Sequence, residues 1–142
     1  MAGTRTLTII KPDAFGSGKA GKIVAHLEAA GFRVVTSRVV HLTTAQAEAF
    51  YEVHKARPFY GSLVTFMTTG PCMPMVLERD NAVLELRTVI GATDPAEAAA
   101  GTVRKLYAVS KESNAIHASD SDENAQRESN FFFAEAEIIA AR

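Results

Sequence analysis

The stretch Thr4-Arg-Thr-Leu-Thr-Ile-Ile-Lys-Pro-Asp13 is the first strong secondary-structure signal in the chain. Its β-branched and apolar residues favour a buried strand over residues 4–10. Pro12 has no amide proton to donate to a neighbouring strand, so we expect the strand to end there with Lys11 extended at its tip. A lysine in that position suits either a structural role, with its stem packed, or a binding role.

Downstream of this strand, hydrophobic periodicity alternates between helices and strands. An amphipathic helix is predicted over Lys22–Ala30, a strand over Arg33–Leu42, a helix over Ala45–Lys55, an apolar strand over Cys72–Leu77 and a short strand over Ala115–His117. Further helices fill the intervening segments. This order predicts the α/β (α+β) class and a ferredoxin-like βαββαβ sandwich, in which helices cover a four-stranded antiparallel sheet.

Three acidic or amide positions have the spacing of helix N-caps. Asp80-Asn81 precede an apolar helical run, Asp94 precedes Pro95, and Asp120 precedes Glu123 by three residues. Proline is favoured in the first helical position, and an acid three residues after the cap can bond back to it. We therefore predict that a helix begins at each of the three.

Composition excludes several function classes. The chain has 142 residues, of which 47% are hydrophobic and 22% are charged, as in a single globular domain spanning 1–142. A net charge of −1 gives no general attraction for nucleic acid or for a membrane surface. No apolar run reaches the ~18 residues of a spanning helix, and the first residues contain no signal-peptide apolar region. A cytoplasmic location is expected.

A glycine-rich stretch, Gly16-Ser-Gly-Lys-Ala-Gly-Lys22, fits two phosphate-binding patterns incompletely. As a dinucleotide-binding motif it lacks the acidic residue that should close the next strand. As a P-loop it has Ile23 where a magnesium-binding Ser or Thr is required. We therefore interpret this stretch as an ordinary connection. Cys72, the single cysteine, suits a small core residue and excludes an internal disulfide.

His117 is the first candidate for chemistry. It lies between a short apolar pair and a predicted helix start, where backbone N–H groups favour an anion. Unprotonated imidazole is a good nucleophile near neutral pH. The pattern therefore suggests phosphoryl transfer through a phosphohistidine, although on spacing alone a structural histidine is the commoner case.

Other polar and aromatic residues give weaker signals. Tyr51, His54 and Lys55 share one face of a predicted helix, which suits a phosphate site and a solvated face equally well. Phe59 suits either the core or an exposed stacking platform for a base. Several further polar residues begin breaks between elements or face away from a core, and these are Lys11, Arg87, Thr93, Arg104 and Asn114. Two guanidinium groups among them suit a polyphosphate.

Four motifs together resemble the nucleoside diphosphate kinase family. They are Thr6-Leu-Thr-Ile-Ile-Lys-Pro-Asp-Ala14, His54-Lys-Ala-Arg-Pro-Phe59, Gly91-Ala-Thr-Asp-Pro-Ala-Glu-Ala98 and Asn114-Ala-Ile-His-Ala-Ser-Asp-Ser121. They occur in the family's order, and the resemblance covers nearly all of residues 4–139. It implies a ping-pong reaction in which a nucleoside triphosphate, usually ATP, phosphorylates His117, and a nucleoside diphosphate then takes the phosphoryl group.

The same resemblance implies roles for the other residues. Lys11 and Asn114 would hold the ribose. Glu128 and Ser119 would orient His117, and Phe59 would stack on the base. The remaining positions would lie along the phosphates, and these are Tyr51, His54, Arg87, Thr93 and Arg104. The resemblance also implies Mg²⁺ carried by the nucleotide rather than by protein ligands, and self-association to a tetramer or hexamer.

Three positions depart from the family pattern. Ala118 replaces a glycine, Lys111 stands where an apolar residue covers the base, and Ser129 replaces an apolar residue. None of them is a phosphate ligand, so we expect activity, with the base contact most affected. A nucleotide sensor without turnover is the alternative, because this fold also serves binding modules. The presence of both His117 and Glu128 favours the enzyme.

Overall fold

The computed structural model describes residues 3–141, which form one sheet with helices on both faces. The strands are β1 (Arg5–Ile10), β2 (Arg33–Ser37), β3 (Met73–Glu78) and β4 (Ile116–Ala118). The helices are α1 (Pro12–Gly16), α2 (Ala20–Ala29), α3 (Thr44–Phe50), α4 (Tyr60–Met67), α5 (Ala82–Ile90), α6 (Val103–Tyr107), α7 (Asp122–Phe132) and α8 (Glu135–Ala141). A 3₁₀ turn, Glu52–His54, follows α3.

The four strands lie in the order β2-β3-β1-β4, and all neighbours are antiparallel. The ferredoxin-like fold predicted from the sequence is confirmed. β1 is an interior strand, paired along its whole length with β3 and at its carboxyl end with β4. The end of β1, where Lys11 follows, therefore lies beside the strand that carries His117.

Side chains alternate between the two faces of β1, and each face has its own apolar core. Leu7 and Ile9 pack with residues of α3, α4, α7 and α8. Ile10 packs on the other face with residues of α2, α5 and α6. All three are fully buried. At about 25 cal/mol per Å² of apolar surface removed from water, burial of such side chains stabilises the fold by roughly 1.5–3 kcal/mol each.

Several predicted elements are shorter than expected. β2 ends at Ser37 rather than Leu42, and its register with β3 shifts between Val34 and Thr36. Only an isolated bridge between Val40 and Cys72 continues the pairing. The helix predicted over Ala45–Lys55 ends at Phe50 and passes into the 3₁₀ turn. This change of helix type gives Tyr51 and Lys55 different directions, so Tyr51 is buried whereas Lys55 is exposed.

Of the three predicted helix starts, the one at Asn81 is confirmed, the one at Asp120 is displaced by one residue and the one at Asp94 is absent. After Asp94 there is a turn and no helix, although the Asp94 carboxylate does accept from the Ala96 amide at 2.9 Å. α7 is capped by Ser121, whose Oγ accepts from the Asn124 amide at 3.1 Å, and not by Asp120. α5 begins after Asn81 without a side-chain cap; its Ala82 amide donates to the Gly3 carbonyl at 3.0 Å.

Pro12 has a second consequence that the sequence prediction lacked. It ends β1 as expected, but it also starts α1 as the first helical residue, where a missing amide proton costs nothing. The glycine-rich stretch that follows connects α1 to α2, and Gly18 has φ +75°, a conformation that glycine adopts without strain. Within residues 3–141, no helix is long and apolar enough to cross a membrane.

A buried hydroxyl in α7 leads to the first testable prediction. Ser129 is fully buried, and its Oγ has no hydrogen-bond partner. Since a buried polar group without a partner costs about 1–3 kcal/mol, Ser129→Ala should raise the free energy of unfolding. Ser119→Ala is the matched control, because the Ser119 hydroxyl donates to Glu128 at 2.8 Å and its loss should destabilise the protein. Denaturant titration of both variants tests this; a Ser129→Ala variant less stable than wild type would contradict it.

Candidate active site

β4 carries His117 into the site. His117 lies directly opposite Ile9 of β1, so its side chain projects from the same face of the sheet as Ile9. The backbone is fixed from the neighbouring strand, because the Thr8 hydroxyl donates to the His117 carbonyl at 2.7 Å. The imidazole therefore belongs to a residue of a hydrogen-bonded strand and not of a loop.

The imidazole of His117 has a defined tautomer. Its Nε2 lies 2.7 Å from Oε1 of Glu128. A carboxylate only accepts hydrogen bonds, so Nε2 carries the proton in this contact and Nδ1 of the neutral ring keeps its lone pair. Nδ1 is therefore the ring nitrogen available for nucleophilic attack.

Glu128 is held as a carboxylate. It projects from α7, where it is 6% exposed. Burial raises its pKa, but hydrogen bonds from His117 and Ser119 and the nearby charge of Arg127 outweigh burial, so the pKa of Glu128 lies below its usual range. Ser119 donates to Oε1 at 2.8 Å, and Arg127 lies 3.7 Å from Oε2. The negative charge therefore persists at neutral pH and keeps Nε2 protonated.

Two aromatic rings restrict the orientation of the imidazole further. The ring of Phe50 meets that of His117 edge to face at 5.4 Å, and the ring of Tyr51 does so at 6.1 Å. Both aromatic residues are buried. Burial also raises the pKa of Tyr51 well above its ordinary value, so its hydroxyl remains protonated. The predicted site residue Tyr51 therefore contacts the histidine itself.

Lys11 and Asn114 form a second polar pair. The Lys11 Nζ donates to Oδ1 of Asn114 at 2.9 Å and to the carbonyl of Glu112 at 3.1 Å. Lys11 is only 5% exposed. Burial and the charge of Arg104 lower the pKa of Lys11 to about 8, partly offset by the carboxylates of Asp13 and Glu112. The Asn114 amide also donates to the Thr93 carbonyl at 3.3 Å, so Asn114 is bonded both to Lys11 and to the chain that follows the helix Ala82–Ile90.

Two arginines bring positive charge beside the histidine. Arg104 is 7% exposed and donates to the carbonyls of Gly91 and Ile116, at 3.1 and 2.7 Å. Its Nε is buried without a protein partner. Burial and the charge of Arg87 lower the pKa of Arg104 to about 10. Arg87 is exposed and donates to the Ala118 carbonyl at 3.3 Å. Two guanidinium groups that repel each other form a site that an anion would stabilise.

These groups surround one cavity of about 340 Å³. The predicted site residues that line it are Lys11, Tyr51, His54, Phe59, Arg87, Thr93, Arg104, Asn114, His117 and Glu128. Ser119 lies outside the lining and contacts the site through Glu128. Lys55, which the helical pattern grouped with Tyr51 and His54, is not part of the lining.

A second cavity, of about 470 Å³, adjoins the first. The two share Lys11, Phe59, Leu63, Thr93 and Asn114. Ser62, Lys111 and Glu112 complete the lining of the second cavity. Phe59 is 47% exposed, and its ring lies 5.5 Å from that of His54, so an open apolar surface faces this space.

Comparison with known proteins identifies the family. The family model for nucleoside diphosphate kinase matches residues 4–138. The chain belongs to the nucleoside diphosphate kinase family. It is an enzyme of the phosphotransferase class, and it moves the γ-phosphoryl group of a nucleoside triphosphate to a nucleoside diphosphate.

Individual relatives agree with this family membership. A nucleoside diphosphate kinase of Chlorobium chlorochromatii is 59% identical over 135 residues, which cover 95% of this chain and 96% of that protein. The crystal structure of the Aquifex aeolicus nucleoside diphosphate kinase superposes with a TM-score of 0.92 at 42% identity, covering 94% and 97% of the two chains. The Halobacterium salinarum nucleoside diphosphate kinase, solved in complex with CDP, gives a TM-score of 0.88 at 36% identity over 94% and 89%.

The positions that depart from the nucleoside diphosphate kinase pattern lie at different distances from the site. Ala118 lines the first cavity, and its carbonyl accepts from Arg87. Lys111 is exposed at the second cavity. Ser129 is buried in α7 and lines neither cavity.

Sequence reasoning missed Asp120 and Asn124 as members of this nucleoside diphosphate kinase site. Both line the first cavity. A hydrogen bond from Asn124, at 2.6 Å, and the charge of Arg87 lower the pKa of Asp120. In the sequence, the spacing of Asp120 suggested only a helix cap. That its carboxylate lies near Arg87 could be seen only in the three-dimensional structure.

The described residues, 3–141, contain no group of three or more His, Cys, Asp or Glu side chains that could hold a metal ion. Among the carboxylates that line the first cavity, Glu128 is engaged by His117 and Ser119, and Asp120 by Asn124. The donor set of the cavity is mainly cationic and amide nitrogen, which suits phosphate oxygens.

Proposed function

We propose that this chain transfers phosphoryl groups between nucleotides through a covalent intermediate on Nδ1 of His117. The hydrogen bond of 2.7 Å between Nε2 and Glu128 carries the proposal, because it leaves Nδ1 with the free lone pair. Cationic side chains beside that nitrogen support the same assignment, since phosphoryl transfer depends on positioning and charge neutralisation more than on covalent chemistry by the protein.

The reaction has two balanced halves. In the first, the Nδ1 lone pair forms a bond to the γ-phosphorus of a nucleoside triphosphate, usually ATP. The bond from that phosphorus to the β,γ-bridging oxygen breaks, and the nucleoside diphosphate leaves with the electron pair. In the second half, a terminal oxygen of another nucleoside diphosphate attacks the phosphorus, and the P–N bond breaks to return the pair to Nδ1. One site can serve both halves because the donor and the acceptor share the diphosphate and sugar groups.

The carboxylate of Glu128 stabilises the imidazole as positive charge develops on it. Bond formation at Nδ1 makes the ring more acidic, and the accepting oxygen 2.7 Å away opposes that charge without taking the proton. Ser119 positions the carboxylate by donating to the same oxygen. We assign Glu128 and Ser119 as orienting residues on this basis.

We assign the phosphates to Arg87, Thr93 and Arg104, with His54 and Tyr51 nearby. The lining of the first cavity supports this assignment, because all five residues surround the same space as His117. Lys11 and Asn114 then face the ribose hydroxyl groups, and Phe59 stacks on the base. The complex of the Halobacterium salinarum relative with CDP supports nucleotide binding in a fold of this kind.

Mg²⁺ fits this site as a companion of the nucleotide. It prefers phosphate oxygens and water to an all-protein cage, and the cavity offers chiefly nitrogen donors and engaged carboxylates. Phosphate oxygens and water would therefore be its ligands. When bound, the ion neutralises part of the charge on the phosphates.

We further propose that residues 1–142 act as one domain, that the protein is cytoplasmic, and that it self-associates to a tetramer or hexamer. No membrane or nucleic-acid partner is proposed. Side chains on several elements remain exposed and apolar, among them Val39, Leu84 and Ile139. Sedimentation analysis tests the association; a protein that remains monomeric at micromolar concentration would contradict it.

The decisive experiment for the covalent intermediate is labelling. Purified protein is incubated with γ-labelled ATP and Mg²⁺, and the label is then tested for lability in acid and stability in base, which distinguishes phosphohistidine from phosphoserine. Adding an unlabelled nucleoside diphosphate should discharge the label as a labelled triphosphate. Protein that turns over nucleotides without ever acquiring label would contradict the proposal.

A second prediction concerns the base. Stacking contributes about 1–3 kcal/mol per base and accepts every base, because each has a π-face. Phe59→Ala should therefore lower kcat/KM for ADP, GDP, CDP and UDP by similar factors. Lys111→Val should raise these values slightly or leave them unchanged, because the ammonium group prefers water.

The measurement is kcat/KM for all four diphosphates in wild type and both variants. Leu106→Ala is a suitable control, since Leu106 is 54% exposed and lines neither cavity. A loss confined to one base would indicate recognition of base edges instead of stacking.

A further inference from the structure

A strained turn stands immediately before the strand that carries His117. Ala115 has φ +74° although it is not a glycine. The Ile116 amide donates to the Asn114 carbonyl at 2.9 Å, which closes a three-residue γ-turn around Ala115. A positive φ at alanine is unfavourable, and such conformations persist only where surrounding contacts hold them. Since β4 begins at Ile116, the turn sets the position from which His117 projects.

The contacts that hold the turn come from the other end of the sequence. The Ala115 amide donates to Oδ2 of Asp13 at 3.0 Å. The Ala115 carbonyl accepts from the Lys11 amide at 2.9 Å. Both hydrogen-bonding groups of the strained peptide are therefore engaged by the segment at the end of β1. Pro12, at the start of α1, turns the chain between these two partners.

Within residues 3–141, the Asp13 carboxylate has one hydrogen-bond partner, the Ala115 amide. Its second oxygen, Oδ1, is buried without a hydrogen-bond partner. Asp13 lines neither cavity of the site, so it does not contact the nucleotide space. Burying a carboxylate oxygen without a partner is costly, and the contact of Oδ2 with the Ala115 amide is the hydrogen bond that this position provides.

We propose that Asp13 is a positioning residue: its carboxylate holds the turn centred on Ala115, and through that turn it fixes the position of His117. This inference rests on the proposed role of His117 as the nucleophile. Asp13 acts from outside the cavity, so its loss should reduce the chemical step more than nucleotide affinity.

Two substitutions separate the hydrogen bond from the charge. Asp13→Ala removes both the acceptor and the negative charge. Asp13→Asn removes the charge but keeps an oxygen where the Ala115 amide donates. Because a misplacement of about 1 Å can cost on the order of 100-fold in rate, Asp13→Ala should lower kcat by about 10- to 100-fold with KM changed little. Asp13→Asn should keep most of kcat.

The pH dependence of kcat/KM reports how removal of the Asp13 charge, which both variants lack, changes the pKa of Lys11. Lys11 is faced by Asp13, Arg104 and Glu112, and the pKa of Lys11 is about 8 in the structure. Asp13 raises that pKa, so either substitution should lower it further. The alkaline fall of kcat/KM, which follows the free enzyme, should therefore begin at lower pH in both variants. Values of kcat must then be compared on the plateau below that fall.

The matched control is Asp122→Ala. Asp122 also accepts from a backbone amide, that of Gly3 at 3.1 Å, and it lines neither cavity of the site. Thermal unfolding of all variants reports any general loss of structure. Asp122→Ala should keep the wild-type kcat.

Equal losses of kcat in Asp13→Ala and Asp13→Asn would overturn the proposal, because only the alanine variant lacks the acceptor. A wild-type kcat in Asp13→Ala would also overturn it. The labelling of the wild-type protein is run alongside. If the wild type acquires no base-stable label, the role of His117 fails; if it does and Asp13→Ala is labelled equally fast, only the role of Asp13 fails.

Discussion

Replacing His117 with alanine is expected to abolish both the phosphoenzyme and turnover. The loss should be at least about 10⁴-fold in kcat, the scale seen when a covalent nucleophile is removed. Nucleotide binding should persist, because the groups assigned to phosphate, ribose and base lie on other elements. The fold should persist as well, since β4 keeps its backbone pairing with β1. Labelling with γ-labelled ATP and equilibrium binding of a diphosphate measure the two effects separately.

The control for this variant is His26→Ala. His26 lies on α2 and lines neither cavity of the site. The His26→Ala variant should be labelled at the wild-type rate. Label that still accumulates on a histidine of the His117→Ala variant, for example on His54, would show that the nucleophile has been assigned wrongly.

The second large effect is expected at the two arginines of the cavity, and it should differ between them. Loss of one preorganised donor to the transition state costs roughly 2–4 kcal/mol, so Arg87→Ala and Arg104→Ala should each lower kcat/KM by about 30- to 900-fold. Arg104→Ala should also lower the free energy of unfolding by about 1–3 kcal/mol, because it leaves the carbonyls of Gly91 and Ile116 without their donors. Arg87 is exposed, so its replacement should affect stability little.

Lysine should rescue neither variant fully, because it lacks the planar fork that matches two phosphate oxygens. Arg38→Ala serves as the control, since Arg38 is exposed and lies outside both cavities. Steady-state kinetics and denaturant titration give the two readouts. Full kcat/KM in either cavity variant would mean that the residue does not contact the phosphates in the transition state.

The parts of the fold that could be predicted are those with a strong local signal. β1 and β3 have continuous apolar or β-branched runs. β1 was predicted over residues 4–10 and spans Arg5–Ile10, and β3 was predicted over Cys72–Leu77 and spans Met73–Glu78. β2 was predicted too long because the point at which its pairing with β3 ends depends on β3 and leaves no mark in the alternation of its own residues. The cap of α7 was misplaced by one residue, since Asp120 and Ser121 are both good caps and only the backbone distinguishes them.

The convergence of the site residues was less accessible to sequence reasoning. No local property of the sequence indicates that the site residues share one cavity, and only the family motifs grouped them. These residues are Lys11, His54, Arg87, Arg104 and His117. The contact from Asp13 to Ala115 joins residues 102 positions apart, and alanine is not a residue that suggests a positive φ. Such contacts are set by tertiary packing, which overrides local preference.

The pairing of β1 also has a consequence for synthesis of the protein. β1 is made before its partners β3 and β4, which come much later in the chain. At about 5–20 residues per second, an apolar strand with two unpaired edges therefore persists on the nascent chain for several seconds. His117 and Glu128 are made later still, so ribosome-bound chains arrested before residue 128 should be inactive and should bind chaperones that recognise exposed strands. Arrest at increasing lengths, followed by crosslinking to such chaperones, would show binding that ends only once α7 has been made.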